Sequence, residues 1–233
     1  MLDQQTVERL AQRLDDAERS KSLITAFTRE YPDLTIEDAY AIQRAWTKLQ
    51  LSRGRIVRGH KIGLTSKAMQ NAVGISEPDY GVLFADMFYP DASPIPFDRF
   101  HAPRIEVELA FVLKTPLKGP DCTLFDVLNA TDYVTPALEI LETRMHRVDP
   151  ETKAPRKVMD TISDNAANAA LVVGGRLQRG PANGHLVAVC HRCRSGQHQL
   201  DLPRLPAHLH QRPRPLQTPL LCCRDVDEWV ARL

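Results

Sequence analysis

Apolar residues recur at helical spacing in the first part of the chain and in short strand-like runs after it, with the change near Val57. Over residues 3–26, Val7, Leu10, Leu14 and Ala17 stand three or four apart with charges between them, which predicts an amphipathic helix. The stretch LTIEDAYAIQRAWTKLQLSRG predicts a second: Thr35 is placed to cap it, Glu37 and Asp38 fall in its first turn, and Gly54 closes the far end. Both apolar faces are read as core or subunit packing. From Val57 the runs VRGHKIGLTS, DYGVLFADMFY, PRIEVELAFVL, TDYVTPALEIL and AALVVGG, broken by Gly, Pro and Asp, predict strands, with TLFDVLNAT as one short helix among them. Helices followed by strands predict an α+β fold: an N-terminal helical segment, 1–56, ahead of a mixed β-rich domain, 57–176.

The texture breaks again after Arg176. Residues 177–233 contain no Ile, Met, Phe, Tyr or Lys, while Arg, His, Pro and Leu crowd together, so this segment is expected to order poorly. Only RDVDEWVARL has a helical pattern. Cys190 and Cys193 with Cys222, Cys223, His191 and His198 offer a rival reading as a zinc site, but the second cysteine pair is adjacent rather than spaced, which fits closed tetrahedral geometry badly.

Charge narrows the partners. With 30 basic and 29 acidic residues the formal net charge is +1, so no global field draws nucleic acid or an anionic membrane, and a small molecule is the expected partner. The amphipathic start lacks the basic and apolar blocks of a signal peptide, and no window approaches membrane-spanning length, which implies a cytoplasmic protein. Of the 5 Cys only Cys122 precedes the tail, which is not a disulfide framework.

Chemistry concentrates in the strand-like part. In an extended PRIEVELAFVL, Arg104, Glu106 and Glu108 share one face, while Ile105, Val107 and Leu109 share the other and are expected to be core. Two carboxylates on one face need either bulk water, as on an ordinary half-exposed strand, or a cation. Glu139, inside the apolar run TPALEILE, offers a third carboxylate, with Glu142 as the alternative. Three such groups from two strands form an oxygen-only site suited to Mg²⁺ or Mn²⁺ rather than zinc. Lys61, in GHKIGLTSK, is either a surface lysine with its stem along the sheet or a desolvated proton donor or carboxylate anchor. Asp79, in SEPDYG, is either a turn former or a general base. DTISDNAANAALVVGG is dense in small polar groups that cap a helix or line an anion pocket, with Ser163 and Asn165 the residues to watch.

Taken in order, GHKIGLTSKAMQ, SEPDYGVLFADM, PRIEVELAFVL, TDYVTPALEILETR and DTISDNAANAALVVGGR closely resemble the hydratase/decarboxylase family of the fumarylacetoacetate hydrolase-like superfamily, and within it the 2-oxo-hept-4-ene-1,7-dioate hydratases. The resemblance covers roughly residues 1–176. It implies a mixed β-roll, a divalent metal held by Glu106, Glu108 and Glu139, proton transfer through Lys61 and Asp79, Ser163 near the substrate, and a homo-oligomer, a decamer in the family. It also implies addition of water to a dienoate of aromatic meta-cleavage catabolism, with 2-hydroxypentadienoate hydration or 4-oxalocrotonate decarboxylation as alternatives. Past VVGGR the chain departs from the family pattern, so the β-roll is expected to be incomplete at the C-terminus. An excess of Arg, Pro and His suggests a frameshifted reading of a G/C-rich gene, and with it a second alternative, a non-catalytic remnant; translating the other two frames tests it.

Overall fold

The computed structural model describes residues 1–174 and the backbone of residues 185–191. The tail expectations, including the zinc reading at Cys193, His198, Cys222 and Cys223, otherwise lie outside the described residues.

Helix α1 (Gln4–Ser20) is capped by the Asp3 carboxylate, which accepts the Thr6 N–H at 2.8 Å. It is shorter than the 3–26 expected from spacing, because Lys21 turns left-handed at φ 52 and closes the helix, after which Ile24 bridges Met145. A single turn, α2 (Phe27–Glu30), precedes α3 (Ile36–Ser52), which opens with a Thr35/Asp38 capping box and is followed by Gly54 at φ 86. Val7, Leu10 and Leu14 of α1 pack against Ile42 and Trp46 of α3 and against Phe84, Met87 and Met145. The helices therefore rest on the β-rich part through one continuous core.

The strands are β1 (Val57–Gly63), β2 (Asp79–Phe84), β3 (Phe88–Tyr89), β4 (Arg104–Leu113), β5 (Thr131–Leu141), β6 (Asn168–Val173) and β7 (His185–His191). Short helices α4 (Lys67–Val73), α5 (Leu124–Ala130) and α6 (Val158–Ser163) connect them. The strands form one mixed sheet in the order β2-β1-β7-β4-β5-β6-β3, antiparallel except where β1 meets β7 and β3 meets β6. Leu83 of β2 nevertheless packs with Ala110, Ala137, Leu171 and Val173 of β4, β5 and β6. Strands far apart in the order touch, so the sheet is curled, with one face turned inward. The mixed α+β class with N-terminal helices matches the sequence expectation.

The curl reverses one expectation. Ile105, Val107 and Leu109 are 45%, 69% and 41% exposed, whereas Glu108 is 2% and Glu139 is 1% exposed. The inner face of β4 carries the carboxylates and the small Ala110; alternation alone identified two faces but not which one the curl encloses. No helix among the described residues is long and apolar enough to cross a membrane.

Candidate metal and proton-transfer site

Antiparallel register builds the acidic cluster. Glu106 of β4 stands directly opposite Glu139 of β5, and Glu108, two residues along, faces Ala137. All three side chains therefore emerge on the inward face, with the alanine methyl leaving room beside Glu108. One carboxylate oxygen from each glutamate lies within 4.8 Å of the others. This donor set of three hard oxygens, without His or Cys, fits an octahedral divalent cation such as Mg²⁺. Glu142, weighed as an alternative third ligand, is not in the cluster: its Oε1 accepts the backbone N–H of His101.

A second hairpin supplies the cation and the fourth carboxylate. Lys61 of β1 stands opposite Gly81 of β2, and Gly63 opposite Asp79, so each of these two side chains faces a residue that has none. A Cβ added at Gly63 would collide with Oδ1 of Asp79 and lie 3.5 Å from Nζ of Lys61. Nζ of Lys61 sits 3.3 Å from Oε1 of Glu139. Three strand positions separate β1 from β5. On a flat sheet that would be about 14 Å of backbone, beyond the combined reach of the two side chains. The curl is what closes the gap.

Burial and charge set the protonation states. Burial pushes the Glu139 carboxyl up to about 7, against the opposing pull of Lys61 and the Asn168 amide, and Glu106 and Glu108 push it the same way. Asn168 donates from Nδ2 to Glu139 Oε1 at 2.9 Å. Burial likewise raises Asp79, partly offset by Lys61. Burial alone would lower the Lys61 ammonium, but Glu139, Asp79 and Glu106 outweigh it and hold its pKa up. Lys61 is thus a desolvated ammonium held by carboxylates, not a snorkelling surface lysine, and Asp79 opens a strand instead of forming a turn.

The segment from α6 to β6 closes over this hairpin. Ser163, at the end of α6, is fully buried, and its hydroxyl makes no hydrogen bond among the described residues. Asn165 bonds to β2 through both ends of its amide, and Lys61 donates to the Ala166 carbonyl at 3.1 Å. Beside it, Asp164 accepts the backbone N–H of Arg144 at 2.8 Å and pairs with the Arg144 guanidinium, which also lies 5.4 Å over the Trp46 ring. Asn168 and Tyr40 were not singled out from the sequence. Tyr40 stacks on Tyr80 with ring centroids 4.5 Å apart and is pushed up in pKa by burial and by nearby Asp79. An asparagine inside NAANAA and a tyrosine on a helix carry no local signal, since only the register of distant strands places them here.

No protein-family model matches the sequence. Among curated proteins, the chain is 63% identical over 176 residues to the 2-oxo-hept-4-ene-1,7-dioate hydratase of Escherichia coli, a match covering 76% of this chain and 66% of that protein. The chain belongs to the hydratase/decarboxylase family. The 2-keto-4-pentenoate hydratase of Paraburkholderia xenovorans strain LB400, in the same family, is 42% identical over 167 residues, 72% of this chain and 60% of that enzyme. Among solved structures, 4-oxalocrotonate decarboxylase from Pseudomonas putida G7, complexed with magnesium and adipate, matches with a TM-score of 0.69 and 33% identity, covering 76% of this chain and 65% of that one. The same enzyme complexed with calcium and acetate gives a TM-score of 0.68 at 32% identity, over 76% of this chain and 64% of that one. The chain thus spans 60 to 66% of the length of these two hydratases.

Proposed function

We propose that this protein is a divalent-metal-dependent hydro-lyase that adds water to 2-oxo-hept-4-ene-1,7-dioate, formed from 2-hydroxyhepta-2,4-dienedioate, to give 4-hydroxy-2-oxoheptanedioate. The observation that carries the reading is the meeting of Glu106, Glu108 and Glu139 on the inward face, one carboxylate oxygen from each within 4.8 Å of the others. Support for the substrate comes from the 63% identity to the Escherichia coli hydratase, and for Mg²⁺ from the magnesium and calcium in the decarboxylase structures. We further read the curled sheet as a β-roll of the fumarylacetoacetate hydrolase type and the working protein as a cytoplasmic homo-oligomer.

Glu106, Glu108 and Glu139 hold the cation, which when bound supplies Lewis-acid stabilisation of enolate charge on a 2-oxo acid. Asp79, buried and with its carboxyl raised by that burial, takes a proton from the attacking water or the tautomerising carbon. Lys61 holds a proton at Nζ and gives it to the opposing carbon. Ser163 lies near the substrate and orients it. The curl excludes bulk water from this face, which strengthens each of these interactions.

The test is turnover of the purified full chain with Mg²⁺, followed by loss of the ultraviolet absorbance of 2-hydroxyhepta-2,4-dienedioate beside a Glu106→Ala control, with the hydrated product confirmed. Metal-dependent loss absent from the control supports the reading. Turnover of the five-carbon dienoate or of 4-oxalocrotonate in its place reassigns the substrate within the family. A folded, soluble chain without turnover on any of the three refutes catalysis and favours the non-catalytic remnant.

A further inference from the structure

The loop between α6 and β6 is held in an unusual way. Asn165, Ala166 and Ala167 lie consecutively in the left-handed region, at φ 52, 50 and 58. Non-glycine residues persist there only where their surroundings over-determine them. The Asn165 side chain supplies that constraint: Oδ1 accepts the Val82 N–H at 2.6 Å and Nδ2 donates to the Val82 carbonyl at 2.9 Å. The amide pairs with β2 as a neighbouring strand residue would. Asparagine suits the place because it offers a donor and an acceptor on one short arm and tolerates left-handed backbone. Gly81, next to Val82, permits the approach, since a Cβ there would lie 2.5 Å from the Asn165 carbonyl oxygen and 3.1 Å from its carbonyl carbon. One residue past the clamp, the Ala166 carbonyl accepts from Nζ of Lys61 at 3.1 Å, on an ammonium that also stands 3.3 Å from Glu139.

We propose that Asn165 is a positioning residue for Lys61: by clamping the left-handed loop to β2, it fixes the Ala166 carbonyl that holds the ammonium beside Glu139. Asn165 acts through that carbonyl and is not itself catalytic. What the ammonium is for rests on the hydratase reading above, whereas its placement does not, and the experiment separates the two.

The variants are Asn165→Gly, which removes the clamp while leaving left-handed backbone accessible, and Asn165→Asp, which keeps an acceptor for the Val82 N–H. The full chain is treated with acetic anhydride, and the acetylation rate of Lys61 relative to Lys67 is read by peptide mass spectrometry. Asn165→Gly is expected to raise the relative Lys61 rate at least tenfold and Asn165→Asp by a smaller factor. A ratio unchanged from wild type overturns the proposal, and so does a rise no larger than the loss of global stability in urea accounts for. Should Asn165→Gly not fold, Asn165→Asp decides by the same criterion, with at least threefold expected. In turnover with Mg²⁺, Asn165→Gly is expected to lower kcat at least tenfold with KM within twofold. Unchanged kcat beside a raised acetylation ratio supports the positioning and defeats the proton-donor role of Lys61, whereas unchanged kcat beside an unchanged ratio overturns the proposal. A wild-type chain without turnover defeats the hydratase reading and leaves the acetylation ratio to decide this one.

Discussion

Removing the Lys61 ammonium should tighten metal binding while abolishing turnover, two effects of opposite sign from one substitution. In Lys61→Met the charge 3.3 Å from Glu139 Oε1 is lost. Two unit charges at that distance interact by about 5 kcal/mol at the effective dielectric of about 20 that suits protein sites. Part of this is already offset by desolvation, and breaking a buried pair leaves a net cost of about 3–5 kcal/mol in the metal-free protein. A divalent cation competes with Lys61 for the same carboxylates, so it replaces the lost charge and no longer meets its repulsion. If even a third of the pair energy returns to the cation, Mg²⁺ binds roughly tenfold more tightly, since about 1.4 kcal/mol is a factor of ten. Loss of a positioned proton donor costs about 10²–10⁴ in rate. Isothermal titration with Mg²⁺ and steady-state turnover, run on one preparation from pH 8 upward because losing Lys61 also removes the pull that holds the Glu139 carboxyl down, read the two effects. Weaker or unchanged Mg²⁺ affinity refutes the competition argument, and turnover within tenfold of wild type refutes the donor role.

Other consequences are equally open to measurement. Asp164→Ala strands the buried Arg144 guanidinium and should lose about 3–5 kcal/mol in urea denaturation, against a loss below 1 kcal/mol if the pair were superficial. Gly63→Ala drives a methyl into Asp79 Oδ1 and should cut kcat about a hundredfold, with Mg²⁺ affinity unchanged because the cluster lies on other strands. Glu139, raised from 4.5 to about 7, is largely protonated below neutrality, so Mg²⁺ must displace a proton there. Affinity should climb from pH 6 to pH 8, with proton release visible as a buffer-dependent calorimetric heat. The same raised carboxyl binds its proton in the folded state while the unfolded chain has lost its own, so metal-free stability should fall as pH rises from 4.5 to about 7. Val107→Ser, at a side chain 69% exposed, should change stability by no more than about 0.5 kcal/mol and improve solubility; a loss near 2 kcal/mol would show that this face is covered.

How far the sequence could be read depended on the range of the interaction. Local signals were reliable: the Thr35/Asp38 capping box, the Gly54 stop and the apolar face of α1 follow from residues within one or two turns. The three carboxylates were legible because each lies in an apolar run where an acid is costly, and the register of β4 and β5 brings them together. The direction of β4's faces was not legible. Val107 looks like core in any window, and only the curl, set by Leu83 meeting Leu171 across the sheet, turns it outward. Asn168 and the Asn165 clamp were hidden for a related reason, since their partners Glu139 and Val82 lie 29 and 83 residues away along the chain.

The division of the site between two hairpins also bears on how the chain folds. Glu106, Glu108 and Glu139 belong to β4 and β5, while Lys61 and Asp79 belong to β1 and β2, and contacts such as Lys61 to Ala166 span 105 residues. The acidic hairpin can form early on its own connection, but it repels itself until a positive charge arrives. Lys61 reaches it only through the slow, long-range closure of the curl. Divalent cations in the medium are therefore expected to speed refolding by neutralising the hairpin before closure, and equal stopped-flow refolding rates with and without Mg²⁺ would refute the idea that the sheet seals around its own charges.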